Sequence, residues 1–147
     1  MTDAEVKKQI GRVKELCDPW VAVLGLGAWD ITNTFDRVGL KTDAGDLNDN
    51  LRCMAKTAVR WPYLNANIMW NLPQLGDLED DKLEQIVVHE LCHILVHEMR
   101  EWAPEIIEAD RSAIGMKHEE RVTTNLTNAF IWVRNAARRT KKQKSCQ

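Results

Sequence analysis

The chain has 147 residues, with 20 Lys and Arg against 22 Asp and Glu, a length that fits one domain able to bury about two thirds of the surface its unfolded form would expose. A composition of 44% hydrophobic and 29% charged residues excludes a disordered chain. Charge is unevenly spread: every acidic residue lies at or before Glu120, whereas Arg134, Arg138, Arg139, Lys141, Lys142 and Lys144 fall in the last fourteen positions, so the body carries −8 and the tail +6.

The opening MTDAEVKKQIGRVKEL has charges throughout and no apolar run, which argues against a signal or transit peptide. Within it Val6, Ile10, Val13 and Leu16 recur every three to four residues, predicting an amphipathic helix over Asp3 to Leu16. Asp18 and Pro19 then cap and start a second turn of helix through Trp20, Val23 and Leu24, which Gly25 and Gly27 end. From Trp29 to Arg37 the residues Trp29, Ile31, Asn33 and Phe35 alternate with polar neighbours, as in a strand, and GLKTDAGDLNDN after it reads as a loop.

Cys53 to Val59 and Leu64 to Leu72 form a predicted hairpin around a turn with Trp61 and Pro62, with Ala55, Thr57 and Val59 on one face of the first strand and Ala66, Ile68 and Trp70 on one face of the second. Pro73 and Gly76 break the chain. Asp77 is then a candidate N-cap, and Glu79, Asp80 and Asp81 suit the positive end of a helix that runs to about Arg100. A short helix and connector are expected over Glu105 to Lys117, and a long last helix from His118 onward, with Val122, Leu126, Ala129, Phe130, Val133 and Ala137 as its apolar stripe. Helices, three strands, then helices make the fold class α+β. The expected organisation is one domain over residues 1–137 and a basic tail over 138–147.

The tail reads first as a solvated helix end that suits the negative pole of the helix dipole; contact with nucleic-acid phosphates is the less favoured reading. Cys17, Cys53, Cys92 and Cys146 form no CxxC pair, so reduced thiols are expected. No apolar stretch approaches the roughly 20 residues of a membrane span, and a cytosolic protein is expected. The oligomeric state is left open.

The stretch VVHELCHILVHEM, Val87 to Met99, sets the chemistry. Between Ile86 and Val96 only His89, Glu90 and His93 are not apolar, so the predicted helix is buried nearly all round. Imidazole and carboxylate groups buried there need partners or a metal. His89 and His93 project from one face one turn apart, a spacing that suits two imidazoles on one tetrahedral zinc ion, and Glu90 between them can serve as the general base toward a water. His97 lies about 12 Å along the axis from His89, too far to share that metal on a straight helix.

A catalytic zinc site takes a third protein ligand, and His118, Glu119 and Glu120 are the candidates. At about 100° per residue Glu119 points with the apolar stripe, Glu120 is turned about 100° away and His118 lies at the other margin. Glu119 is therefore the expected ligand, with Glu120 in reserve. Tyr63 is placed to stabilise an oxyanion, although a lone tyrosine beside Trp and Pro more commonly packs.

With VVHELCH followed by EERVTTNLTNAF, the sequence resembles the small zincin metallopeptidases of the gluzincin type, including ImmA/IrrE-like proteins and compact phage-encoded members. The resemblance covers roughly Trp29 to Phe130 and implies a zincin-like fold: a small three-stranded sheet packed on the HExxH helix and a long C-terminal helix. It implies zinc on His89, His93 and Glu119, Glu90 as general base, a protein or peptide substrate, and Leu64 to Asn71 as the strand lining the cleft. Where that group often has Asp or Asn to orient a zinc histidine, this chain has Thr123, or Thr124 if Glu120 is the ligand. The rival to a zinc-dependent peptidase is a non-catalytic protein of the same fold that engages a protein or nucleic-acid partner through the cleft and tail.

Overall fold

The computed structural model describes residues 1–38, 53–60, 63–76, 78–101 and 113–145, with the backbone alone at 98–101, 113–118 and 140–145. Helix α1 spans Asp3–Val23 and opens with a capping box, in which the Thr2 hydroxyl accepts the Glu5 N–H and the Glu5 carboxylate accepts the Thr2 N–H. One helix stands where the sequence suggested two, because the chain continues through Pro19. Val6, Gln9, Val13, Cys17 and Trp20 form one unbroken buried lane, and that packing outweighs the backbone hydrogen bond the proline lacks. Gly25, at φ 71°, ends the helix in the left-handed region and turns the chain into the 3-10 turn Leu26–Ala28.

Three strands follow: β1 over Asp30–Asp36, β2 over Ala55–Arg60 and β3 over Asn65–Asn71. The hairpin is present, with β2 antiparallel to β3, and β1 lies parallel to β3 on its other side, giving the order β1-β3-β2. The register pairs Ile31, Asn33 and Phe35 with Ala66, Ile68 and Trp70, and these in turn with Val59, Thr57 and Ala55. The alternation read from the sequence therefore picks out one face. Asn33 belongs on it because its side-chain carbonyl accepts the Trp70 indole N–H at 2.8 Å. The loop expected over 39–50 and the turn at Trp61 and Pro62 lie outside the described residues.

After the short helix α2, Leu72–Leu75, comes α3 over Asp80–Glu101; the proposed cap Asp77 is outside the described residues. Val87, Val88, Leu91, Cys92 and Ile94 of α3 are fully buried and pack with Ile68 and Trp70 of the sheet. This helix is central: α1, β2 and the last helix α4, Ala113–Ser145, all pack against it. Helix α4 begins five residues before the expected His118 and continues through the basic segment to Ser145. At about 1.5 Å per residue its 33 residues span about 50 Å. The architecture is α+β, a small three-stranded sheet with α-helices. Among the described residues no helix is long and apolar enough to cross a membrane.

A buried polar junction ties three helices together. The Trp20 indole of α1 donates to the Glu84 carboxylate of α3 at 2.8 Å, and the Arg134 guanidinium of α4 lies 2.7 Å from the other oxygen of that carboxylate. Glu84 is only 5% exposed, so it needs both partners.

Candidate metal centre

His89 and His93 stand one turn apart on α3 with rings crossed at 87°. Their Nε2 atoms are 3.2 Å apart. Glu120 of α4 reaches the same point: one carboxylate oxygen is 3.4 Å from His89 Nε2 and the other 3.3 Å from His93 Nε2. Four-coordinate tetrahedral bonds of about 2.0–2.1 Å place neighbouring donor atoms about 3.3 Å apart. The Nε2–Nε2 separation matches one edge of such a tetrahedron, and each Nε2 has one Glu120 oxygen at a comparable distance. Two neutral imidazoles and a carboxylate are also a donor set suited to zinc, so the residues fit the ion.

Glu120, the reserve, and not the expected Glu119, is the carboxylate beside both Nε2 atoms. Glu119 lies not at the Nε2 atoms but at the far side of the His93 ring, its Oε1 3.3 Å from Nδ1. The cause is the rotation of α4. Its buried face runs through Thr123 and Thr127, both at most 2% exposed, with Leu126, Phe130, Ile131 and Arg134 partly buried, whereas Val122 and Val133 of the expected stripe are 42% and 58% exposed. At about 100° per residue, Glu119 and Glu120 fall about 50° to either side of that face. Both therefore reach α3, one to each nitrogen of His93. Thr123 is buried, and its hydroxyl has no hydrogen-bond partner; the carboxylate that orients His93 is Glu119.

Glu90 points to the sheet side and is 6% exposed. The Thr57 hydroxyl of β2 donates to its Oε2 at 2.7 Å and is also 3.3 Å from its main-chain carbonyl. This contact was not foreseen, although the sequence did place Thr57 on the inward face of its strand. Among the described residues the strand beside the site is β2, at the edge of the sheet. The expected cleft strand, Leu64 to Asn71, is instead the central strand β3, with neighbours on both sides that occupy its backbone groups.

Electrostatics follow from burial and from the crowding of charge. Burial raises the Glu90 carboxyl above its ordinary range, against the pull of Thr57 and the two histidines. Burial alone would lower His93, but the carboxylates of Glu119 and Glu120, with Glu90 behind them, outweigh it and raise His93 to about 10. The Glu120 carboxyl is held well below the usual range by hydrogen bonds from His89 and His93. The Cys53 thiol, which donates to the Ala55 carbonyl at 2.7 Å, is pushed up by burial and then by Glu90 and Glu120, so it stays protonated.

Of the remaining candidates, His97 is half-buried farther along α3 and stands outside the donor group, and the side chain of His118 is outside the described residues. Tyr63 is 81% exposed rather than packed. Cys17, Cys53 and Cys92 are free thiols. No protein-family model matches the chain, and neither a curated protein nor a solved structure matches it.

Proposed function

We propose that the protein is a zinc-dependent peptidase in which His89, His93 and Glu120 hold the metal and Glu90 is the general base. The observation that carries the proposal is the convergence of the two imidazole Nε2 atoms, 3.2 Å apart, with the Glu120 carboxylate, one oxygen of which lies 3.4 Å from His89 Nε2 and the other 3.3 Å from His93 Nε2, on the helix face next to a buried carboxylate. When bound, zinc supplies a Lewis acid that activates water and polarises a carbonyl.

The protein's own groups do the rest. Glu119 accepts the Nδ1–H of His93, which leaves the Nε2 lone pair free for the metal and fixes the ring. Thr57 holds one oxygen of Glu90, so that the other is available to take a proton from water and pass it to the leaving amine. The raised pKa of Glu90 brings it closer to the pH at which it must both accept and release that proton. Among the described residues strand β2 is the outer strand on the Glu90 side. An extended peptide can pair with its outer edge and bring a carbonyl to the site, and this favours peptide bonds as the substrate.

The test uses purified full-length protein. About one zinc per chain is expected by elemental analysis, lost in His89→Ala and His93→Ala. In Glu90→Gln the zinc should stay while hydrolysis of a cleaved peptide falls by roughly 100-fold or more. Freshly purified protein without a transition metal, or Glu90→Gln with full turnover, would end the proposal.

A further inference from the structure

Strand β2 carries charge of one sign, and on one face. Between Cys53 and Arg60 the chain has two basic residues, Lys56 and Arg60, and no acidic one. Ala55 and Val59 join the core and Thr57 meets Glu90. Lys56, Ala58 and Arg60 are all exposed on the opposite face, as the two-residue period of a strand requires. Their register partners on β3 are Met69, Asn67 and Asn65, none of them charged, and the one acidic residue in these rows, Asp30, lies two strands away from Arg60. Among the described residues no strand pairs with the outer edge of β2.

We propose that the peptide taken by this site is acidic: an extended chain with two carboxylate side chains four residues apart, one beside Lys56 and one beside Arg60. This preference rests on the peptidase reading given above and on pairing of the substrate with β2. A strand added to that edge sets its residues opposite those of β2, with facing Cβ atoms about 5 Å apart. The peptide residue across from Thr57 is then the one nearest Glu90, and its side chain falls on the α3 side. Its neighbour in one direction lies across from Lys56, and the residue three away in the other direction lies across from Arg60. Both fall on the exposed face, and the spacing is the same whether the peptide runs parallel or antiparallel to β2. Two opposite-charge cross-strand pairs together favour such a peptide by about 2- to 30-fold over an uncharged one. Salt weakens the preference, because both cations are exposed. A lysine on an edge strand also deters edge-to-edge aggregation, but that role alone would leave hydrolysis indifferent to the charge of the peptide.

The test uses zinc-loaded full-length protein and a library of random-sequence peptides, with the cleaved bonds read by mass spectrometry. Asp and Glu are expected to be enriched at two positions four apart that bracket the cleaved bond. Matched peptides with Glu, Gln or Lys at both positions are then compared. At low salt kcat/KM should run Glu above Gln above Lys, with about 2- to 30-fold between Glu and Gln, and the gap should close at high salt. Lys56→Gln with Arg60→Gln should level the three peptides, and Lys56→Glu with Arg60→Glu should reverse their order; zinc content verifies that both variants are folded. Equal rates on the three peptides, or an order that the double charge reversal leaves as it was, would overturn the acidic preference and leave the peptidase reading standing. No cleavage of any library peptide by protein that holds zinc would overturn both.

Discussion

At the scale of single residues, two adjacent glutamates divide one task. Glu120 meets both Nε2 atoms, and Glu119 meets the opposite nitrogen of His93. In the proposed zinc site, removing Glu120 therefore takes away a ligand, whereas removing Glu119 only loosens one. Glu120→Ala is expected to abolish tight zinc binding; Glu119→Ala should weaken it by about 10- to 100-fold, the usual effect of losing a group that orients a ligand. Competition titration against a chelating dye measures both, and equal losses would contradict the division. Thr57 offers a second contrast. Thr57→Val keeps the shape of the strand but leaves the buried Glu90 oxygen without its 2.7 Å donor. An unsatisfied buried group costs about 1–3 kcal/mol, so kcat should fall by roughly 10-fold or more with zinc content unchanged, as stopped-point peptide assays with metal analysis on the same samples would read.

At the scale of elements, the site depends on how α3 and α4 are clamped, and Glu84 holds the clamp between Trp20 and Arg134. Arg134→Ala leaves the buried Glu84 carboxylate with the Trp20 indole and the more distant Arg138 guanidinium, 3.7 Å away, which should destabilise the fold by up to about 3–5 kcal/mol in urea unfolding; pairing it with Glu84→Gln should recover much of that loss. The same junction explains what could be read from the sequence. The strands were legible because each buries alternate apolar residues, and α3 was legible because it is apolar on nearly every side. The face of α4 was not. It buries Thr123, Thr127 and Arg134 against α3 while leaving Val122, Trp132 and Val133 in solvent, so a rule that apolar means inward turned the helix by about 80°. That rotation exchanged Glu119 and Glu120. The central position of β3 was hidden for a different reason: strand order is set by the parallel pairing of β1 with β3, a contact between distant segments that local alternation does not encode.

At the scale of the whole molecule, the site links stability to pH, and the sign differs with and without metal. His93 carries a proton more tightly when folded, at about 10 against an ordinary 6.5, so its contribution to metal-free stability is complete below pH 6.5 and is lost as pH rises toward 10. Glu120, depressed in the fold, contributes above about pH 4.5 and loses that contribution as pH falls. Glu90, raised by burial, is easier to ionise in the unfolded chain, so it too lowers stability as pH climbs. Together these groups put the optimum of the metal-free protein between roughly pH 4.5 and 6.5. Zinc takes the Nε2 lone pair that the proton would occupy, so metal binding releases a proton and tightens as pH rises. The melting temperature of chelator-treated protein should fall between pH 6.5 and 9, and the gap to zinc-loaded protein should widen over the same interval. Paired thermal melts in matched buffers decide it: a metal-free transition that stays level or climbs across that interval would mean His93 is not held protonated by its two carboxylates, and the cluster would lose the electrostatic strain that a divalent ion relieves.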